Sequence, residues 1–87
     1  MFFYYVYILR STSNRRYVGY TTDLKRRLEE HNTGQNISTK PYRPWTLVFY
    51  EAFPNEQDAR RREAYFKTTQ GRRALTVMLR EYYKGDG

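Results

Sequence analysis

The sequence predicts an α+β domain of the broad α/β class, ordered ββαβαα: a three-stranded antiparallel sheet flanked by three helices. Three observations point to it. Two aromatic and β-branched segments near the start are joined by Ser11-Thr12-Ser13-Asn14, turn chemistry that folds one strand back on the next. A capped helical segment follows at once. One further extended run, Trp45 to Phe53, then separates it from two helical stretches.

The first strand is expected from about Phe3 to Leu9, with Tyr5, Tyr7 and Leu9 on one face and Tyr4, Val6 and Ile8 on the other. Its hairpin partner is Tyr17-Val18-Gly19-Tyr20. Thr21-Thr22-Asp23 offers N-cap residues for a helix from Leu24 to about His31, and Gly34 can stop it. Residues 33–44 read as a polar loop closed by Arg43-Pro44. The third strand should alternate Trp45, Leu47 and Phe49 against Thr46, Val48 and Tyr50. Asn55 caps the second helix, with Asp58 at the capping-box position, and Gly71 should end it. The last helix, about Arg73 to Tyr83, carries Leu75, Met78, Leu79 and Tyr82 on one stripe.

Eighty-seven residues make one domain, 1–87, near the lower limit for a self-sufficient core. With no cysteine, neither a disulfide nor a thiolate zinc site can brace it. No apolar run approaches a membrane span, and the aromatic start lacks the basic region of a signal peptide. The expectation is a small cytoplasmic protein, a monomer or weak dimer. Its net charge of +7, from 16 Lys and Arg against 9 Asp and Glu, suggests a polyanion partner rather than merely a solvated surface. The basic residues cluster at Arg15-Arg16, Lys25-Arg26-Arg27, Arg60-Arg61-Arg62 and Arg72-Arg73.

Five residues form the candidate chemistry. Tyr7 and Tyr17 lie ten positions apart on neighbouring strands, and Arg27 and His31 stand at i,i+4 on the first helix. Leu24 and Leu28 set that helix's buried direction, which puts His31 on the sheet side and Arg27 at its border. The plain alternative is a core histidine satisfied by a hydroxyl and an arginine snorkelling from the rim. On the second helix Glu63 falls between the inward Ala59 and Phe66. A carboxylate there needs a cationic partner or a metal. One histidine and no cysteine exclude a multi-histidine zinc site or a thiol nucleophile, and no glycine-rich phosphate loop follows a strand. Phosphodiester hydrolysis needs a base for water, charge neutralisation and leaving-group stabilisation, roles these five side chains can supply.

Tyr5-Val6-Tyr7 and Tyr17-Val18-Gly19 resemble the two motifs that name the GIY-YIG nuclease family. The stretch from Asp23 to Asn32 is similar to that family's helix bearing the active-site arginine, and Arg43 to Glu51 to the third strand of its small stand-alone bacterial members. Arg61-Arg62-Glu63 resembles the segment holding the family's metal-binding glutamate. The first motif here begins with Tyr5 where the family name has Gly, and Tyr20 stands where excision-repair members carry lysine. The resemblance implies an endonuclease cutting DNA with one divalent cation, magnesium or manganese. Members include homing endonucleases and the incision subunit of nucleotide excision repair. It assigns Glu63 to the metal, Arg27 to phosphate charge, and Tyr7 or Tyr17, aided by His31, to the attacking water.

Lys25, Arg26, Lys40, Arg43, Lys67, Arg72 and Arg73 are the expected DNA contacts, on branched, damaged or single-stranded forms. A nucleic-acid-binding module that keeps the fold but cleaves little is the competing reading, and an accessory subunit docking a protein through its aromatic surface is a third.

Overall fold

The turn residues do what their chemistry suggests. Asn14 takes a left-handed backbone, with φ of 64°, and its amide donates to the Ser11 carbonyl at 3.1 Å. That reverses β1 (Tyr4–Ser11) into β2 (Arg16–Thr21), an antiparallel hairpin that sets Tyr7 opposite Gly19 and Leu9 opposite Tyr17. The computed structural model describes residues 2–85, so Met1 and residues 86–87 of the expected domain lie outside it.

Asp23 caps α1 (Leu24–Asn32) by accepting from the Arg26 amide, and Asn55 caps α2 (Glu56–Phe66) by accepting from the Gln57 amide. Between them runs β3 (Trp45–Phe53), which pairs antiparallel with β1 and gives the sheet order β2-β1-β3. At the end of α1 the Asn32 side chain grips the Trp45 backbone twice. It donates to the carbonyl at 3.0 Å and accepts from the amide at 2.6 Å, pinning the helix to the third strand.

Because β1 is central, both of its faces are covered. Val6 and Ile8 join Val18, Ala59, Phe66 and Leu75 in a core beneath the later helices. Tyr7 and Leu9 join Trp45 on the opposite face, with Leu24 and Leu28 of α1 packed against them. Each fully buried large side chain contributes about 1.5–3 kcal/mol. The alternation expected for β1 therefore holds.

The alternation expected for β3 does not. Ile8 pairs with Phe49 and Leu9 with Leu47, so Val48 is an extra residue in a bulge. Trp45 and Leu47 face α1, whereas Phe49 turns to the other core with Phe53. An inserted residue shifts a period of two by one place, which strand alternation alone cannot foresee.

Gly71 does not end the second helix. The helix stops at Phe66, and Gly71 lies buried in the first turn of α3 (Thr69–Met78), where Thr68 caps it. A Cβ on Gly71 would collide with the Tyr65 carbonyl oxygen, so glycine serves close backbone approach there. The last predicted helix is also two. Leu79, at φ −111° and ψ 25°, ends α3, and α4 (Arg80–Gly85) follows. Leu75 and Leu79 reach the core, but the change of direction leaves Met78 and Tyr82 exposed rather than on a shared stripe.

Candidate active site

Gly19 opens the space in which the site is built. A Cβ there would overlap the Tyr7 ring and hydroxyl, so glycine opposite Tyr7 lets that ring lie flat against the neighbouring strand. The Tyr7 hydroxyl then sits 2.9 Å from Nε2 of His31 and accepts from Nε of Arg27 at 3.3 Å. His31 is completely buried, the one buried residue of α1, and its Nδ1 lies 2.7 Å from the Thr39 hydroxyl. Tyr17 completes the cluster. Its ring meets His31 edge-on at 4.8 Å and tilts against Tyr7 at 6.2 Å. The Tyr17 hydroxyl has no hydrogen-bond partner among the described residues, whereas the Tyr7 hydroxyl is engaged on both sides.

Electrostatics follow from this burial. Desolvation pushes the Tyr7 phenol up to about 12, against the opposing hydrogen bond from Arg27. His31 is lowered from its ordinary value, first by burial and then by the charge of Arg27, so the imidazole is neutral at neutral pH. Arg27 is held charged chiefly by its bond to Tyr7, and its Nη1 also pairs with Glu30 at 3.0 Å.

Glu63 occupies the border of the α2 core face, with a side chain 19% exposed, and accepts an ion pair from Lys67 at 2.9 Å. It is half-buried rather than fully inward. Its charge still reaches Tyr7, where it adds to the upward shift. Among the described residues no group of three or more His, Asp and Glu side chains converges on one point. A single carboxylate can contribute to a divalent-cation site only together with waters or substrate oxygens.

A groove of about 550 Å³ runs beside Tyr17 and is lined by Asn14, Arg16, Val18, Lys67 and Arg72. A second, of about 400 Å³, lies at the start of α1 between Tyr20, Asp23, Arg26, Arg27 and Glu30. Of the predicted DNA contacts, Lys67 and Arg72 thus lie on the first groove and Arg26 on the second. Lys25, Lys40, Arg43 and Arg73 are exposed but line neither. The Arg60-Arg61-Arg62 run is not a continuous basic patch. Arg60 pairs with Glu56, Arg61 with Asp58 and Arg62 with Glu51, each in a different direction around the helix.

Two partners had no signal in the sequence. Thr39 lies in an aperiodic loop, and Glu30 looked like any solvent-facing acid. Arg16 belonged to a visible basic pair, but only the fold shows it donating to the Arg72 carbonyl at the groove.

The fold that brings two strand tyrosines to a helical arginine and histidine is shared with a family of nuclease domains. Residues 3–76 match the GIY-YIG catalytic domain, and the chain belongs to that family. It is 44% identical over 75 residues to a UPF0213 protein of Streptococcus agalactiae, covering 85% of each chain. A UPF0213 protein of Pediococcus pentosaceus is 45% identical over 65 residues, 74% of this chain and 68% of that one. The solution NMR structure of a UPF0213 protein from Bacillus halodurans superposes with a TM-score of 0.56 at 34% identity, covering 87% of this chain and 84% of that one. This is therefore a small GIY-YIG domain protein of nuclease kin. Among the described residues no helix is long and apolar enough to cross a membrane.

Proposed function

We propose that this protein is a metal-dependent endonuclease that hydrolyses DNA phosphodiester bonds. The observation that carries the reading is the Tyr7 hydroxyl held between a guanidinium and a neutral imidazole, an arrangement that ordinary core packing does not require. Arg27 covers that hydroxyl while its side chain remains 37% exposed. Its free N–H groups can take a substrate phosphate in the planar fork a lysine lacks. Engagement of Arg27 by phosphate, in competition with Glu30, is what admits the attacking water beside Tyr7.

A phenol pushed up to about 12 is a poor source of free phenolate. Tyr7 works instead as a relay. As the water's O–H breaks and its electron pair moves toward phosphorus, the Tyr7 oxygen takes that proton and hands its own to Nε2 of His31. Tyr17, on the groove wall with no hydroxyl partner among the described residues, orients the phosphate or the water. Glu63, freed from Lys67, would hold a magnesium or manganese ion together with substrate oxygens. Bound there, the cation supplies charge neutralisation on the phosphate and leaving oxygen. Arg16, Lys67 and Arg72 guide the strand along the groove. The cellular setting we infer is cytoplasmic, with the protein acting on branched, damaged or single-stranded DNA as a monomer or weak dimer.

One observation favours a second reading, a binding module with little cleavage: Glu63 is already satisfied by Lys67. Incubating the purified protein with plasmid and structured oligonucleotides, with magnesium, manganese or chelator, separates the two. Cation-dependent cleavage by the parent, abolished in Glu63→Gln while DNA binding persists, is the expected result. Binding without cleavage on every substrate and cation would establish the module instead, and equal cleavage by Glu63→Gln would remove Glu63 from the site.

A further inference from the structure

Thr39 is buried, with 1% of its surface exposed, in the loop between α1 and β3. We propose that Thr39 is a positioning residue that holds His31 in the tautomer protonated on Nδ1, leaving Nε2 open to the Tyr7 proton. The proposal deepens the relay described above and rests on it for its catalytic consequence, though not for its geometry.

The protons of this buried chain can be counted. Arg27 has only donors, so the Tyr7 oxygen must accept its Nε–H. Tyr7 then has its own proton to place, and the one other partner among the described residues is Nε2 of His31. Nε2 must therefore be bare. A neutral imidazole carries its proton on the other nitrogen, and Nδ1 faces the Thr39 oxygen at 2.7 Å. Thr39 accepts that proton and directs its own toward the Asn36 carbonyl, a long contact at 3.4 Å.

Running the chain the other way fails. If Thr39 donated to Nδ1, the Nε2 proton would go to the Tyr7 oxygen, which would then accept from both His31 and Arg27. The phenol proton of Tyr7 would then have no acceptor among the described residues, in a side chain that is 2% exposed. Double protonation of His31 is opposed by its burial and by the nearby guanidinium. Thr39 can hold the pattern because its backbone is itself fixed. Its carbonyl accepts from the Trp45 indole at 2.9 Å, and its amide donates to Asn36 at 3.2 Å.

His31 is the only histidine in the chain, so nitrogen-15 NMR of the imidazole reads one residue without ambiguity. Spectra recorded well above the usual imidazole range should show the proton on Nδ1 in the parent. Thr39→Val keeps the shape and removes the hydroxyl, and should move population to the Nε2-protonated form. Thr39→Ser should retain the parental pattern. Single-turnover cleavage should slow about 10–100-fold in Thr39→Val, the scale seen when the hydrogen-bond partner that orients a metal-bound histidine is lost, and recover in Thr39→Ser. Should Thr39→Val fail to fold, Thr39→Ala is the second hydroxyl-free variant, and the parent spectrum needs no variant at all. A parent protonated on Nε2, or a folded hydroxyl-free variant with an unchanged imidazole, would overturn the proposal. Because the tautomer is read without substrate, a protein that cuts nothing would refute the nuclease reading and leave this one standing or falling separately.

Discussion

Replacing Tyr7 by Phe removes a single oxygen, and the structure lets its two consequences be weighed separately. The hydroxyl makes one neutral bond to His31 at 2.9 Å and accepts one longer, charge-assisted bond from Arg27 at 3.3 Å. A neutral buried bond is worth about 1 kcal/mol net, and the bond to Arg27 about the same once its length and partial exposure are allowed for. The loss is therefore about 2 kcal/mol, which for a domain of this size lowers the melting temperature by roughly 10 °C. Against a total stability of about 5–15 kcal/mol, the variant stays almost wholly folded. Removing a proton-transfer group costs about 10²–10⁴ in rate, far beyond what residual unfolding could produce. Tyr17→Phe is the control. With no hydroxyl partner among the described residues, it should shift stability by less than about 0.5 kcal/mol, so any rate it loses reports on substrate. Single-turnover cleavage below both melting temperatures, beside thermal melts, measures each effect. Parental cleavage by Tyr7→Phe would refute the relay. A melt that falls for Tyr17→Phe but not for Tyr7→Phe would refute the hydrogen-bond geometry itself.

Gly19→Ala places a methyl group where the Tyr7 ring lies, so it should destabilise by about 1–3 kcal/mol and cost most of the cleavage by displacing the hydroxyl, as melts and rates would show. Arg27→Lys keeps the charge but loses the fork and the Nε–H to Tyr7; a cleavage loss nearly as deep as that of Arg27→Ala is expected, and near-parental activity would contradict the assignment. DNA affinity should fall steeply with salt, and Lys67 and Arg72 substitutions should flatten that slope where an Arg61 substitution does so less, a titration series that tests the groove beside Tyr17. His31 is depressed in the folded chain, so below the ordinary imidazole value of 6.5 the unfolded chain binds the proton first and stability falls with pH, levelling only once folded His31 also titrates. That contribution to the slope should be absent in His31→Gln when melts are compared across the same range.

Much of this molecule was legible one segment at a time. Asp23 and Asn55 announce the helix starts because a cap acts on amides two or three residues away. The two faces of β1 follow from a period of two. The proximity of Tyr7, Tyr17, Arg27 and His31 follows from a hairpin and one helical turn, all local geometry.

Legible in the sequence were thus the three strands, the starts of the first two helices, the basic character and the side chains from which a site could be made. The tertiary structure alone decided the rest, because each remaining feature depends on atoms distant in sequence. The bulge at Val48 turns Phe49 to the opposite core through its pairing with β1. The meaning of Gly71 lies in the backbone of Tyr65, folded against it across a helix junction. Three consecutive arginines point to three different carboxylates because a helix rotates each by about 100°. Thr39 acquires its place only when the loop brings its hydroxyl to His31, eight residues back, under the indole of Trp45. Local periodicity records which faces are buried; a hydrogen-bond chain is recorded only in the packed interior that brings its groups together.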